Sequence, residues 1–455
     1  MPVQTHTAES LAAVLRMSSH GRFLTTDIDG VCRGKTHSGP KLADMVQQGG
    51  TIASAAFGWD IADDLYQHTV EFANLQTSLG EIGLQLDPGT ARQLPWDDQR
   101  WTVLADHTRA DGAPLPLCPR QVLKHVLARA ARLGLDIQVG VELEWVVLRE
   151  TQTSLRAKGY RDLAPATQSV TNYSPLRIEE LKPFINELMH WMPAIGIEIE
   201  SLHTEAGPGN LEVALRYAPA LEMADRVVLF KQGVREIGLR HGLLSTFMAK
   251  WAPQYGGCGM HLHQSVWQGG RNLFASSPEG PSIELSHYMA GQLKSLPELC
   301  VLYAPNINSY KRLVGGMLAP TQVNWGMDDR HASLRVISGS AQASRLETRV
   351  AGADANIYLV MAAAIASGLN GLEHKVPLDP QYQRGAFQQN SASLLAVSLP
   401  TSLEAATGLF ESSSVAPQLL HAAFVQHFAQ TRRWELSRFQ QAVTDWELKR
   451  YLELI

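Results

Sequence analysis

Four stretches of this sequence alternate ionisable and apolar residues in a way that only a sheet with one polar and one apolar face satisfies. Side chains two apart on a strand share a face. Within 137–148, Glu142 and Glu144 therefore point one way and Val141, Leu143 and Trp145 the other. Within 211–217, Glu212 shares a face with Asn210 and Ala214, and His203-Thr-Glu205 lies just upstream. Residues 259–266 set His261, His263 and Ser265 opposite Leu262, and 344–350 set Arg345, Glu347 and Arg349 opposite Leu346 and Val350. One such strand alone reads as a solvent-facing edge. Four in one chain predict a curved sheet, packed against helices outside and lined inside with five carboxylates, histidine and arginines.

That lining has a chemistry. Carboxylates with a single imidazole suit hard divalent cations, Mg²⁺ or Mn²⁺, better than zinc or copper. Arginines beside them imply an anionic substrate, most simply a nucleotide phosphate. His261-Leu-His263 alone would suit zinc, but no HExxH and no further nitrogen or sulfur ligand accompanies it. A second basic cluster runs through Asn308-Ser-Tyr-Lys-Arg312, Asp329-Arg330 and Arg335, and Gly315-Gly316, Pro320 and Trp325 mark it as a structured loop. Gly30-Val-Cys-Arg-Gly34-Lys35-Thr36 looks like a phosphate loop but is one residue short between its glycines.

The remaining features set boundaries. Lys plus Arg is 39 against 44 Asp plus Glu, a formal charge of −5, so the basic surplus that nucleic acid binding requires is missing. The best membrane candidate, 359–366, is far too short to span a bilayer. The first ten residues have no secretory pattern, and the four cysteines are widely spaced without a CxxC, so a reducing cytoplasm is expected. Short apolar runs separated by turns predict a strand-rich module over 1–110. A connector, ADGAPLPLCP, leads to a helix opened by Pro119 and to a larger unit, 111–455. Helices are expected over 178–192, 221–240, 354–369 and 424–452, with long loops at 152–176 and 372–395.

At this level the chain resembles the glutamine synthetases. The matching segments are VELEW (141–145), HTEAGPGNLEV (203–213), GCGMHLHQS (257–265), NSYKRLVGGMLAP (308–320), DRHASLR (329–335) and SRLETRVAGADAN (344–356). WGMDDRHASLRV and SAAFGWDIAD look most like the branch that ligates glutamate to amines, the gamma-glutamylpolyamine synthetases and their relatives. The resemblance implies an α+β fold: a small N-terminal beta-grasp domain and a large catalytic domain with a curved antiparallel sheet flanked by helices. It implies homo-oligomers, hexameric rings or dodecamers, with active sites between subunits. Two or more Mg²⁺ or Mn²⁺ ions per site and ATP as co-substrate are implied as well. By motif match Glu144, Glu205 and Glu212 would hold one metal, and Glu142, His261 and Glu347 the second. Arg312 and Arg349 would grip glutamate beside Gly257, Arg330, Arg335 and Arg345 would face the ATP phosphates, and His263 with Ser265 would line the nucleotide site.

Two departures carry the functional reading. Ammonia-using members have a glutamate six positions after the substrate arginine, where this chain has Leu318. They also supply an aspartate shortly before a Gly-Trp, whereas 51–58 contains no acid. An ammonium facing apolar groups loses charge pairing, and an alkyl group fits them better. Gln342 stands where many relatives have lysine, and the tyrosine-bearing adenylylation loop of bacterial members is not recognisable. The expected activity is ATP-dependent joining of the glutamate gamma-carboxyl to a primary amine, an alkylamine or polyamine. The alternatives are a glutamine synthetase using ammonia and a non-catalytic structural or regulatory homologue.

Overall fold

The computed structural model describes residues 5–67, 80–168, 170–276, 280–316, 318–380, 383 and 397–455. Helix α1 (Ala8–Arg16) starts at a reciprocal capping box between Thr7 and Ser10. Strands β1 (His20–Thr26) and β2 (Cys32–Ser38), helix α2 (Gly39–Gln48), and strands β3 (Gly50–Ala53), β4 (Glu81–Leu86), β5 (Arg92–Leu94) and β6 (Arg100–Thr108) follow. Their sheet has the order β2-β1-β6-β4-β3, with β5 on β6, and β1 runs parallel to β6. Phe23, Leu84, Leu86 and Val103 meet Leu11, Leu15, Leu42 and Val46 in one buried cluster. The strand-rich reading of this region thus omitted two helices, which together supply a third of that core.

Helix α3 (Pro119–Arg132) opens on its proline as expected. Strands β7 (Asp136–Leu148), β8 (Ile199–Thr204), β9 (Asn210–Pro219), β10 (Leu244–Thr246), β11 (Met260–Gln268), β12 (Arg271–Asn272), β13 (Trp325–Met327), β14 (Leu334–Ile337) and β15 (Arg345–Thr348) build a second, curled sheet. Its order is β13-β14-β15-β11-β7-β9-β8, with β10 on β7 and β12 on β11. It is antiparallel except where β13 runs parallel to β14.

The other helices are α4 (Gln152–Ala157), α5 (Pro175–Glu179), α6 (Lys182–Ala194), α7 (Ala220–Arg240), α8 (Ile283–Tyr303), α9 (Ile357–Glu373), α10 (Leu403–Ser412), α11 (Ala416–Leu420), α12 (Ala422–Gln441) and α13 (Asp445–Tyr451). The helix expected over 178–192 divides, because Pro183 has no N–H to continue a helix and instead sits in the first turn of α6. The one expected over 424–452 divides at Thr444, whose side chain caps α13. The expected loop at 152–176 holds α4, begun by a capping box of Thr151 and Ser154. Most of the loop expected at 372–395 lies outside the described residues. Valines and leucines of β7 pack with α7, α8 and α9 into one large core, leaving the other sheet face to the ionisable residues.

The two sheets are tied by buried charge. Arg120 of α3 reaches Asp106 of β6 at 3.0 Å and Asp225 of α7 at 2.8 Å, and Arg22 of β1 reaches Glu236 of α7 at 2.6 Å. Asn356 donates to the Asp27 carbonyl at 3.1 Å.

Candidate active site

The register of the second sheet sets the ionisable residues in a row. Glu142 on β7 faces His261 on β11, and Glu144 faces Glu212 on β9, which faces His203 on β8. On the other flank His263 faces Glu347 on β15, and Glu347 faces Arg335 on β14. The apolar partners Val141, Leu143 and Trp145 are buried behind them, which is what the two-residue alternation requires.

Two compact groups emerge. Ligand atoms of Glu142, His263 and Glu347 lie within 4.8 Å of one another, as do those of His203, Glu205 and Glu212. These sets overlap the motif-based ones without coinciding. His261 remains close, its Nδ1 3.3 Å from Glu142 and 3.6 Å from Glu347, while His263 Nε2 is 3.1 Å from Glu142. Glu144 instead accepts from the Gly259 N–H at 3.0 Å, and His203 stands between Glu205 at 3.5 Å and Glu212 at 3.3 Å. Each carboxylate has turned to its nearest donor, a choice that strand spacing does not determine.

The two groups differ electrostatically. Burial opposes ionisation of Glu142, but hydrogen bonds from His261 and His263 outweigh it and hold its carboxyl well below the usual range. Glu347 is likewise lowered against its burial by the charges of His261, His263 and Arg349. Burial pushes Glu144 up, and neighbouring Glu212 adds to it. Burial also raises Glu205, followed by the charges of Glu212 and Glu144. Crowded carboxylates held above their ordinary range are relieved by a divalent cation, and an oxygen-rich set with imidazole fits Mg²⁺ or Mn²⁺.

The arginines surround this row. Arg335 approaches Glu347 at 3.1 Å and Asp328 at 3.2 Å, and Arg349 pairs with Glu347 on its other oxygen. Arg345 Nε donates to His263 at 3.1 Å. Arg312 is buried and donates to the carbonyls of Val350 at 2.9 Å and Arg349 at 3.3 Å. A Cβ on Gly257 would meet Arg312 at 2.7 Å, and one on Gly259 would meet Arg312 at 2.7 Å and His261 at 2.8 Å, so only glycine leaves room here. Arg330 is exposed on the turn between β13 and β14, apart from the row.

A cleft of about 290 Å³ opens beside the first group, lined by Glu142, His263, Ser265, Arg345, Gln342 and Tyr217. Ser265 Oγ accepts from Trp267 Nε1 at 2.9 Å. Leu318 lies outside the sheet and is 56% exposed. Residues 54–57 are buried in their own N-terminal layer. His203 and Gly259 were not assigned from the sequence. His203 is signalled by its two-residue offset to Glu205, and Gly259 by the glycine-rich run Tyr255-Gly-Gly-Cys-Gly259, which reads equally as a turn or as a loop that lets backbone approach a ligand.

A sheet face that gathers carboxylates, imidazoles and arginines beside one cleft suits divalent cations together with an anionic ligand. Residues 116–451 match the family described as glutamine synthetase, catalytic domain. The chain belongs to the glutamine synthetase family, on its amine-ligase branch, and is an ATP-dependent carbon–nitrogen ligase. Type-1 glutamine synthetase 2 of Dictyostelium discoideum is 40% identical over 434 residues, 94% of this chain and 83% of that protein. Glutamate–isopropylamine ligase of a Pseudomonas species is 36% identical over 440 residues, 95% of each chain. Gamma-glutamylethanolamide synthetase of Streptomyces coelicolor is 36% identical over 431 residues, 94% of this chain and 91% of that one. A solved GmaS/ADP complex superposes with a TM-score of 0.85 at 29% identity, covering 99% of this chain and 100% of that one.

Proposed function

We propose that this chain joins the gamma-carboxyl of glutamate to a primary amine, an alkylamine or polyamine, through gamma-glutamyl phosphate. The observation that carries the reading is Leu318, apolar and exposed at the position where the resemblance puts a glutamate in ammonia-using enzymes. The two relatives named for isopropylamine and ethanolamide products support it.

Arg312 and Arg349 hold the glutamate carboxylates, and ATP lies in the cleft of His263, Ser265 and Arg345. The side chains of Glu144, Glu205 and Glu212 and those of Glu142, His261 and Glu347 would hold the cations; Glu205 and Glu212 cluster with His203, and Glu142 and Glu347 with His263. Bound Mg²⁺ or Mn²⁺ supplies charge neutralisation at the phosphates. A gamma-carboxylate oxygen attacks the terminal phosphorus and ADP departs, with Arg330 and Arg335 spreading the charge. The neutral amine then attacks the acyl carbon, phosphate leaves, and the amine proton passes to solvent. We place 1–110 as an N-terminal unit that closes a neighbour's site in a cytoplasmic homo-oligomer, a hexameric ring or dodecamer, with 111–455 as the catalytic unit.

The test is phosphate release with ATP, Mg²⁺ and glutamate across ammonia, alkylamines, polyamines and aromatic amines. Alkylamines or polyamines should outpace ammonia. The 40% identity to a glutamine synthetase supports the second reading, and efficient turnover of ammonia at neutral pH would favour it over ours.

A further inference from the structure

A second cavity, of about 500 Å³, shares no lining residue with the reaction cleft. One wall is α7, which presents Lys231 and Arg235 one turn apart. Both cations lie over the same ring: Lys231 Nζ is 5.4 Å and Arg235 Cζ 5.2 Å from the centroid of Phe247. Asp29 and Ile61 of the N-terminal layer face them, together with Lys311 and Asp354.

No acid of this cavity forms an ion pair with Lys231 or Arg235 among the described residues. Asp29 pairs with Arg432. Asp354 accepts on Oδ2 from Asn306 at 2.9 Å and Ser309 at 2.6 Å, while its Oδ1 has no hydrogen-bond partner among the described residues. Burial pushes the Glu435 carboxyl up, towards its neutral form. Lys231 donates only to main-chain carbonyls, Ala353 at 2.6 Å and Ala355 at 3.3 Å. Among the described residues no carboxylate stands at ion-pair distance from Lys231 or Arg235. Burial, with the charge of Arg235 added and that of Asp354 only partly opposing, pushes Lys231 down to about 7. Two like charges one turn apart in a half-buried wall are unfavourable to each other, and an anion between them removes that cost.

We propose that this cavity binds a small metabolite through a phosphate or carboxylate head whose oxygens bridge Lys231 and Arg235, with Phe247, Met248 and Ile61 against its carbon portion. The cavity touches two chain segments that lead directly into the reaction site. Asn308 precedes Arg312 by four residues, and Ala353 follows Arg349 by four. An occupant that draws on Lys231 competes with its bonds to Ala353 and Ala355, so the site is placed to act as an effector site on the substrate arginines.

The test is calorimetric titration of the full chain with inorganic phosphate and, separately, with glutarate at constant ionic strength. ADP, Mg²⁺ and glutamate are kept at saturating concentration to fill the reaction site. At least one probe should bind a saturable site, and the one that binds identifies the head group. Arg235→Gln and Lys231→Gln should each weaken that binding about tenfold or more, the loss expected for one charge-assisted partner. Arg235 sits at the exposed side of the cavity, so Arg235→Gln decides the matter if Lys231→Gln does not fold. No saturable binding of either anion to the wild type, or binding that Arg235→Gln leaves unchanged, overturns the proposal. So does binding that only Arg345→Gln removes, because that places the anion in the reaction cleft.

Discussion

Arg335 Nη1 stands 3.1 Å from Glu347 Oε2, the two residues facing each other across the ladder of β14 and β15. A residue assigned to phosphate and one assigned to cation are thus partners of each other. Glu347 is fully buried and takes Arg349 on its other oxygen. With the roles proposed above, a cation drawing on Glu347 would change the charge that both arginines offer to substrate and so would couple metal binding to substrate binding.

Glu347→Gln keeps the shape and removes the charge. ATP-dependent phosphate release should fall about 100-fold or more, a barrier increase of ~2.7 kcal/mol. The Mg²⁺ concentration for half-maximal rate should rise, while circular dichroism shows the fold retained. A near wild-type rate would remove Glu347 from the cation site.

Arg349→Lys should raise the glutamate KM by about tenfold or more through loss of a bidentate partner, with the ATP KM changed by less than about threefold. Lysine preserves positive charge beside Glu347, so folding is maintained. A larger change in the ATP KM than in the glutamate KM would reverse the assigned roles of the arginines. Arg312 is the poorer probe, because its guanidinium also holds the carbonyls of Arg349 and Val350.

An alkylamine of ordinary pKa near ~10.4 is about one part in a thousand neutral at pH 7. With Leu318 in place of a carboxylate, turnover at subsaturating amine should climb nearly tenfold per pH unit between about 7 and 9. Leu318→Glu should flatten the climb and shift preference towards ammonia, and the exposure of Leu318 means that the substitution costs little stability. A flat wild-type profile would require another base. Asp60 is poorly suited to that part, since it accepts from the N–H groups of Ala62 and Asp64 and from Trp434 Nε1 within its own chain.

His427 is buried, and neither ring nitrogen has a hydrogen-bond partner among the described residues. Burial, with the Arg432 charge, pushes it down to about 3, and burial takes His107 down to about 4. An unfolded histidine titrates near ~6.5, so below that pH the unfolded chain binds protons that the folded chain refuses. Stability therefore falls as pH drops from about 6.5 towards these folded values. Urea unfolding of His427→Leu should lose about 2 kcal/mol less than wild type between pH 7 and 5. Equal losses in the two proteins would mean that His427 takes up its proton in the folded state.

The strand row was legible because alternation along a strand is a two-residue code: Glu142, Glu144, His261, His263 and Glu347 all lie on the face that their spacing dictated. Helix α8 escaped because it is buried on most sides with polar Gln292 and Ser295 among the buried residues, and it contains Pro297, so it has no clean apolar stripe to recognise. Pro183 and Thr444 are legible break signals, a first-turn proline and an N-cap threonine, that outweigh the helical periodicity running through them. The grouping of His203 with Glu205 and Glu212 depends on side-chain torsions, which spacing does not encode. The second cavity brings together Asp29, Lys231, Lys311 and Glu435, residues that only tertiary packing makes neighbours.

Glu142 faces His261 of β11 and Glu144 faces Glu212 of β9, yet both occupy one strand. The repeat of β7 therefore acts as a ruler: residues two apart on a strand are separated by about 6.8 Å, whatever the loops around them do. β7 is fastened on both edges, by β9 and β11, so the spacing cannot relax. A slip of one residue would turn both carboxylates into the core and bring Val141 and Leu143 to the surface. Insertions and exchanges in the peripheral loops can thus remodel the acceptor end freely while the gauge between the two charged centres stays fixed.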